Sequence, residues 1–407
     1  MINEATWLFA TSATQFLDER FESEIVKATF GWLAINDSPY GPSTPGTAYA
    51  LLHDHAAEQA GGGSRSWGFV RGGIGRVTAA MAEAAREAGA EIRTSAEVER
   101  ILVEGGQARG VVLTDGERIN SRTVLSNADP KRTFLGLVGG GELPDEFVAS
   151  IRAYRAEGTS IKINLGVDAL PRATGMPDDG VQPYHRGFME VNSTLAELDL
   201  AQAQARAGIP APDPHIELCI PTVHDPSLAP EGRHIITIDV NSQPYTLAEG
   251  DWDGIKDEIF ARVIAKLGEF FPNLPDSIVE RQVLSPLDLE RLLGVTGGHC
   301  NHGDMALDQM FTLRPVRGYA DYRTPIGGPL PVRGRDPPRR WGERRERPQL
   351  RSRRDQGYAA PPQAVAIGGP TPPRGYPGGS ASLISSTSDR APSVDYRAEW
   401  HSRKAPR

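Results

Sequence analysis

The chain has 407 residues, 39% apolar and 24% charged, which is the make-up of a globular protein long enough for two domains and excludes fibrous and miniprotein classes. Its two cysteines, Cys219 and Cys300, exclude a disulfide framework and a cysteine-rich metal site, and fit a reducing compartment. The net charge of −8 divides into an acidic body at −17 and, from Pro329 onward, a basic tail at +9; the acidic body argues against nucleic-acid binding by the folded part.

Leu17, Phe21, Ile25, Ala28 and Trp32 recur at helical spacing and predict one amphipathic helix over Ser12–Ala34. The Pro/Gly-punctuated run SPYGPSTPGTAYALL leads into a second helix, reaching about Ala60 and ended by Gly61, Gly62 and Gly63. His53 and His55 lie two apart on it and cannot share a face, so ordinary core or surface roles are favoured over metal binding.

From Trp67 the pattern becomes regular. A Gly-rich turn, Arg71-Gly72-Gly73-Ile74-Gly75, enters a helix over Val77–Ala88 closed by Gly89. That turn reads either as a plain tight turn or as a cradle in which helix N-terminal N–H groups hold an anion. Strands follow at Glu91–Arg93 and Glu97–Val103, then a hairpin turn at Gly105-Gly106, a strand over Gly110–Thr114, a turn at Asp115-Gly116 and a short buried strand, Thr123–Ser126.

Between Pro130 and Pro286 the chain reads as a separate mixed or antiparallel sheet with one long helix. Ile161, Ile163, Leu165 and Val167 alternate with polar or small residues, predicting a strand with one buried face, and Ile216–Ile220 and His234–Val240 predict two more. Ile255, Ile259, Val263, Ile264, Leu267 and Phe271 mark an amphipathic helix, and Ser285-Pro286-Leu287-Asp288 has the cap, proline and acidic residue that open another. His299, Cys300 and His302 sit in a Gly-rich loop with Asp304 as the nearby carboxylate, which favours loop packing or site lining over metal binding. Gly-x-Ser-x-Gly does not occur, so no Ser/His/Asp triad is assigned. The apolar runs are far shorter than the roughly 20 residues that cross a bilayer, and the first residues lack the pattern of a secretory signal, so the sequence reads as cytoplasmic.

The runs GFVRGGIGRV, AGAEIRTSAEVERILVEGG and VLSNADPKRTF, followed by GHCNHGDMALDQMFTLRPVRGYADYRTPI, closely resemble the FAD-dependent carotenoid/retinoid oxidoreductase family, which contains the bacterial-type phytoene desaturases. The likeness covers about Met1–Gly328. It implies an α/β (α+β mixed) fold: an incomplete FAD/NAD(P)-binding Rossmann-like domain with an inserted substrate domain, plus a disordered C-terminal tail. The expected division is 1–65, helical part of the substrate domain; 66–130, middle of the FAD-binding domain; 131–290, substrate domain with a mixed sheet; 291–328, return to the FAD-binding domain; and 329–407, tail.

The resemblance also implies FAD as cofactor, with a backbone contact to the adenine at Val98 and close approach at Asn127 and Ala128. His302 and Gly303 would lie near the flavin or substrate channel. Strand-end N–H and C=O groups can read an adenine edge, and small residues allow close approach. The partners implied are a small-molecule substrate and an electron acceptor. Eukaryotic relatives would place this activity in the mitochondrial matrix, with a part in regulating mitochondrial function.

Two departures from the family pattern shape the expectations. Nothing upstream of Trp67 supplies the strand–GxGxxG–helix unit that holds the FAD pyrophosphate, so the chain reads as N-terminally truncated. Residues 329–407 hold 13 prolines, 15 arginines and only eight Leu, Ile, Val or Phe, too few to bury a core. A neighbouring frame of Pro329–Gln349 can read LYLCGAGTHPGGGVSGANGP, the family's flavin loop, so a frameshift near Gly327–Pro329 is expected. The competing expectation is a catalytically inactive fragment that binds a ligand or partner.

Overall fold

The computed structural model describes residues 2–36, 38–60, 68–177, 180–191, 194–327 and 364–367. The expected glycine break at 61–63, the entry at Trp67 and all of the tail except 364–367 lie outside the described residues. The described residues fall into two compact units, one of 2–95 and 153–320, the other of 96–152, 321–327 and 364–367. The second unit is discontinuous in sequence, with boundaries at 95/96, 152/153 and 320/321.

The first unit opens with helices α1 (Ile2–Ala10), α2 (Ala13–Asp18), α3 (Glu24–Leu33), α4 (Thr47–Ala60) and α5 (Gly75–Glu87). The single helix expected over Ser12–Ala34 is two, because the chain leaves the helix after Asp18 and Ser23 starts a new one from an extended N-cap conformation. Ser12 caps α2 by accepting from the Gln15 N–H at 3.1 Å. Leu17, Ala28 and Trp32 of the predicted stripe are buried, whereas Ile25 is exposed. Helix α5 buries only Ala82 and leaves Ile74 and Met81 exposed at 76% and 68%. Glu91–Arg93, expected to be a strand, is irregular.

In the second unit, β1 (Val98–Glu104), β2 (Gln107–Leu113) and β3 (Arg118–Asn120) form an antiparallel meander. Gly105 and Gly106, both at positive φ (59° and 69°), make the two-residue turn that matches strand twist. Strand β4 (Thr123–Ser126) pairs in parallel with Ala364–Ile367, so four residues of the expected disordered tail are a strand. The expectation that β4 is buried is corrected: Leu125 is 58% exposed. Ile101, Val111, Leu113 and Leu137 form the apolar cluster of this unit. Helix α6 (Asp145–Ala153) then leads into the first unit.

There the chain forms β5 (Thr159–Val167), β6 (Met189–Val191), helix α7 (Leu195–Arg206), β7 (Ile216–Cys219), β8 (His234–Gln243), helices α8 (Trp252–Phe270) and α9 (Leu274–Ser277), and β9 (Ile278–Leu284). The strands pair in the order β6-β7-β8-β5-β9, all antiparallel, one of the two arrangements, mixed or antiparallel, that the strand pattern suggested. Ile161, Ile163, Leu165, Ile216, Leu218, Ile236 and Ile238 join Ile259, Val263 and Leu267 of α8 in one core. The strict alternation along β5 selects the buried face, since a slip of one residue would turn every isoleucine outward. Helix α10 (Pro286–Leu293) starts from a capping box in which the Ser285 and Asp288 side chains each bond the other's backbone N–H at 3.1 Å.

Candidate functional site

Val98, Asn127 and Ala128 all lie in the second unit. Val98 opens β1 opposite Leu113, half-buried, and both it and Ala128 pack against the Ile101–Val111–Leu113–Leu137 cluster. Asn127 and Ala128 follow β4 directly. Thr133 pins this strand end: its hydroxyl lies 2.7 Å from Ser126 Oγ and 3.0 Å from the Ala128 carbonyl. Asp129, buried, accepts from the Arg132 N–H at 3.0 Å. Asn127 is exposed, and its side chain makes no hydrogen bond among the described residues. The result is a fixed strand end with an apolar flank and a free carboxamide.

His302 and Gly303 lie in the first unit, on a loop whose backbone is held far from its relaxed state. His302 and Phe311 adopt φ of 57° and 55°, conformations that non-glycine residues rarely take, and Gly303 sits at 142°. What holds the loop is a buried polar network. Asp304, 0% exposed, accepts at Oδ1 from the N–H groups of Glu157 (2.6 Å) and Gly158 (3.0 Å), and His299 Nε2 lies 3.3 Å away. His299 Nδ1 accepts from the Asn301 N–H at 3.2 Å, which leaves the ring proton on Nε2, toward Asp304. Arg314 donates to the carbonyls of Asn301, Gly303 and Asp304, and Gln309 bonds both backbone groups of Arg155. Burial pushes the Asp304 carboxyl up, but the nearby His299 ring and the hydrogen bonds from Gly158 and Glu157 outweigh it and hold it below the usual carboxylate value.

Gly303 packs against the Tyr154 ring so closely that an added Cβ would stand 2.3 Å from its atoms. Gly303→Ala is therefore expected to lower the stability of this unit by about 2–3 kcal/mol, read from denaturant unfolding. A loss below about 0.5 kcal/mol would show that the loop is not held in this conformation.

The Gly-rich turn at 71–75 has positive φ at Gly72 and Gly73, but the Gly72 N–H donates to Asp225 Oδ2 at 2.5 Å. The chain's own carboxylate thus takes the position considered for an external anion. That hydrogen bond, with those from Ser227, holds the Asp225 carboxyl below its ordinary value. Among the described residues no three His, Cys, Asp or Glu side chains come together to hold a metal ion, and His53 instead meets the Tyr49 hydroxyl at 3.1 Å. Arg155, Gln309 and Arg314, which build the loop network, carried no signal in the sequence: Arg155 lies 153 residues from its partner Asp308. No helix of the described residues is long and apolar enough to cross a membrane.

Residues 1–285 match the family model described as flavin containing amine oxidoreductase. The chain is 39% identical over 323 residues to pyridine nucleotide-disulfide oxidoreductase domain-containing protein 2 of Mus musculus, covering 77% of this chain and 55% of that protein. Prolycopene isomerase, chloroplastic, of Arabidopsis thaliana is 31% identical over 231 residues, 54% of this chain and 35% of that protein, which supports the phytoene desaturase-like relation. Among solved structures, an oxidoreductase from Methanosarcina mazei superposes with a TM-score of 0.45 at 18% identity, covering 67% of this chain and 56% of that one. The chain spans about half the length of the mouse relative. With more than half of its residues matched by the family model, the chain belongs to the flavin-containing amine oxidoreductase family.

Proposed function

We propose that this chain is part of an FAD-dependent oxidoreductase that removes hydride from a C–C or C–N bond of an apolar or amine-containing small molecule and passes electrons to a separate acceptor. The family match over residues 1–285 is the observation that carries this reading. In it Val98, Asn127 and Ala128 meet the adenine end of the cofactor. Their arrangement fits: Val98 and Ala128 back onto one apolar cluster, and the exposed Asn127 amide can hydrogen-bond a ring edge beside it. The phosphates find no comparable cradle at 71–75, where Asp225 occupies the Gly72 N–H. When bound, the flavin supplies the hydride-accepting chemistry, and the protein's part is to bind and orient. His302 and Gly303, on the strained loop, are assigned to the wall of the substrate channel. The proposed setting is the cytoplasm, and the mitochondrial matrix for eukaryotic relatives.

The test is reconstitution with FAD and a scan for the oxidised flavin band at about 450 nm after gel filtration. Retention of the band with the protein is expected. A folded, colourless protein would instead identify a module that binds a ligand or partner without the cofactor.

A further inference from the structure

The second unit carries a cleft away from the residues assigned to the cofactor. A cavity of about 430 Å³ is lined by Glu104, Arg109, Arg118, Asn120, Ser121 and Arg122. Six residues of extended strand, roughly 20 Å, separate Glu104 from Val98 along β1. The strand pattern builds the walls. Leu102 pairs with Gly110 and Val103 with Ala108, so Arg109 is the extra residue of a bulge in β2, a device that re-aims a side chain out of its ladder. Beside it only glycine fits: Gly110 has φ 143°, and an added Cβ would overlap the Ile119 carbonyl oxygen. The Ser121 N–H donates to the Arg109 carbonyl at 2.8 Å, which sets Arg109 beside Arg122, the residue next along the chain.

Charge is what this arrangement leaves unbalanced. Arg118 donates from Nη2 to Glu104 Oε1 at 2.8 Å and from Nε to Asn120 Oδ1 at 3.0 Å. The second bond orients the Asn120 carboxamide and leaves its Nδ2 as a further donor. Arg109 and Arg122 form no ion pair among the described residues. Three guanidiniums around one cleft repel one another, and a single carboxylate offsets one of them.

We propose that this cleft binds the phosphate group of a small phosphorylated molecule. Three guanidiniums less one carboxylate leave a charge of +2 in the lining. A phosphate monoester, at about −1.5 to −2 near pH 7, neutralises that charge, whereas a carboxylate meets only half of it. Guanidinium forks match phosphate oxygens in geometry, and the cavity lies in the size range of small-ligand sites, with room for the organic part of the molecule. The site is additional to the flavoenzyme reading and does not depend on it.

The test is isothermal titration calorimetry of the full chain at low ionic strength, without added flavin, using glycerol 3-phosphate, inorganic phosphate and acetate as probes. Both phosphates are expected to bind, and acetate at least tenfold more weakly. Arg109→Gln and Arg122→Gln are each expected to weaken glycerol 3-phosphate binding about tenfold, and Glu104→Gln, which releases Arg118, to tighten it severalfold. Arg152→Gln removes an exposed charge of the same unit outside the lining and is expected to change nothing. Should Arg109→Gln fail to fold, the exposed Arg122 decides alone. No binding in the parent chain, acetate binding as tightly as the phosphates, unchanged binding in Arg122→Gln, or an equal loss in Arg152→Gln would each overturn the assignment. Displacement of glycerol 3-phosphate by FAD would give the cleft to the cofactor's own phosphates and overturn a separate site. Tighter binding to phosphatidic acid vesicles than to glycerol 3-phosphate would transfer it to a lipid headgroup.

Discussion

Asp304→Ala is expected to destabilise the larger unit by about 3–5 kcal/mol, the range for removing one member of a buried charged network. The attribution within that network follows from its distances. Arg155 Nε stands 3.7 Å from Asp304 Oδ2, and the Arg155 guanidinium instead bonds Asp308 at 2.6 Å. The Asp304–Arg155 ion pair is thus the minor part. The N–H bonds from Glu157 and Gly158 at 2.6 and 3.0 Å reach a fully buried carboxylate, and the alanine variant leaves both donors without it. Asp304→Asn keeps an acceptor oxygen in place and is expected to cost about 1–2 kcal/mol. Chemical denaturation at pH 7 separates the two variants; an alanine variant within about 1 kcal/mol of the parent would refute the role assigned to the carboxylate. Because the folded carboxyl titrates below its unfolded value, its contribution is present above about pH 3.9 and disappears as the pH falls through the lower folded value.

What the sequence made legible was local. The alternation of Ile161, Ile163, Leu165 and Val167 is a property of nine consecutive residues, and so is the burial it produced. The glycine pair at 105–106 and the Ser285–Asp288 box act within one turn and appeared where expected. The split between α2 and α3 was hidden because Phe21 and Ile25 keep the helical period of Leu17 and Trp32, although Ile25 stays exposed and a new helix starts after Ser23. Periodicity records which residues are apolar, not whether the backbone between them is continuous. For the candidate site, His302, Gly303 and Asp304 stood out as a loop cluster, but the side chain that bonds Arg155, Gln309, is 154 residues away from it and met it only through the fold. The bulge of Asn241 and Ser242 in β8, between the Thr159–Gln243 and Ile161–Val240 pairs, left no trace in composition, since Asn and Ser read as the polar end of any strand. Val98 and Ala128 were drawn from family likeness, and it is the structure that puts both on the same apolar cluster.

Acidification from neutral pH is expected to weaken the larger unit, and His215 is the reason. The ring is 2% exposed and stacked on Trp32 with centroids 4.2 Å apart. Burial, with the nearby Lys266 charge adding to it, pushes its pKa from 6.5 down to about 3. A base with a depressed folded pKa is neutral in the fold and protonated in the unfolded chain over the window between the two values, so unfolding takes up a proton there. Stability contributed by the neutral ring is fully present above pH 6.5 and declines by about 1.4 kcal/mol per pH unit below it, reaching roughly 2 kcal/mol at pH 5 and about 5 kcal/mol near pH 3. His234, lowered by burial and by His185, acts with the same sign. Asp225, Asp253 and Asp304 titrate below 3.8, but burial holds the Glu217 carboxyl above its ordinary value and acts with the opposite sign, so the difference in slope between parent and His215 variant, not the parent's slope alone, reports the ring. His215→Phe keeps a ring against Trp32 and removes the proton site. Urea midpoints measured between pH 6.5 and 4.5 are expected to fall with pH much less steeply in that variant than in the parent, and parallel slopes for the two proteins would exclude a buried neutral His215.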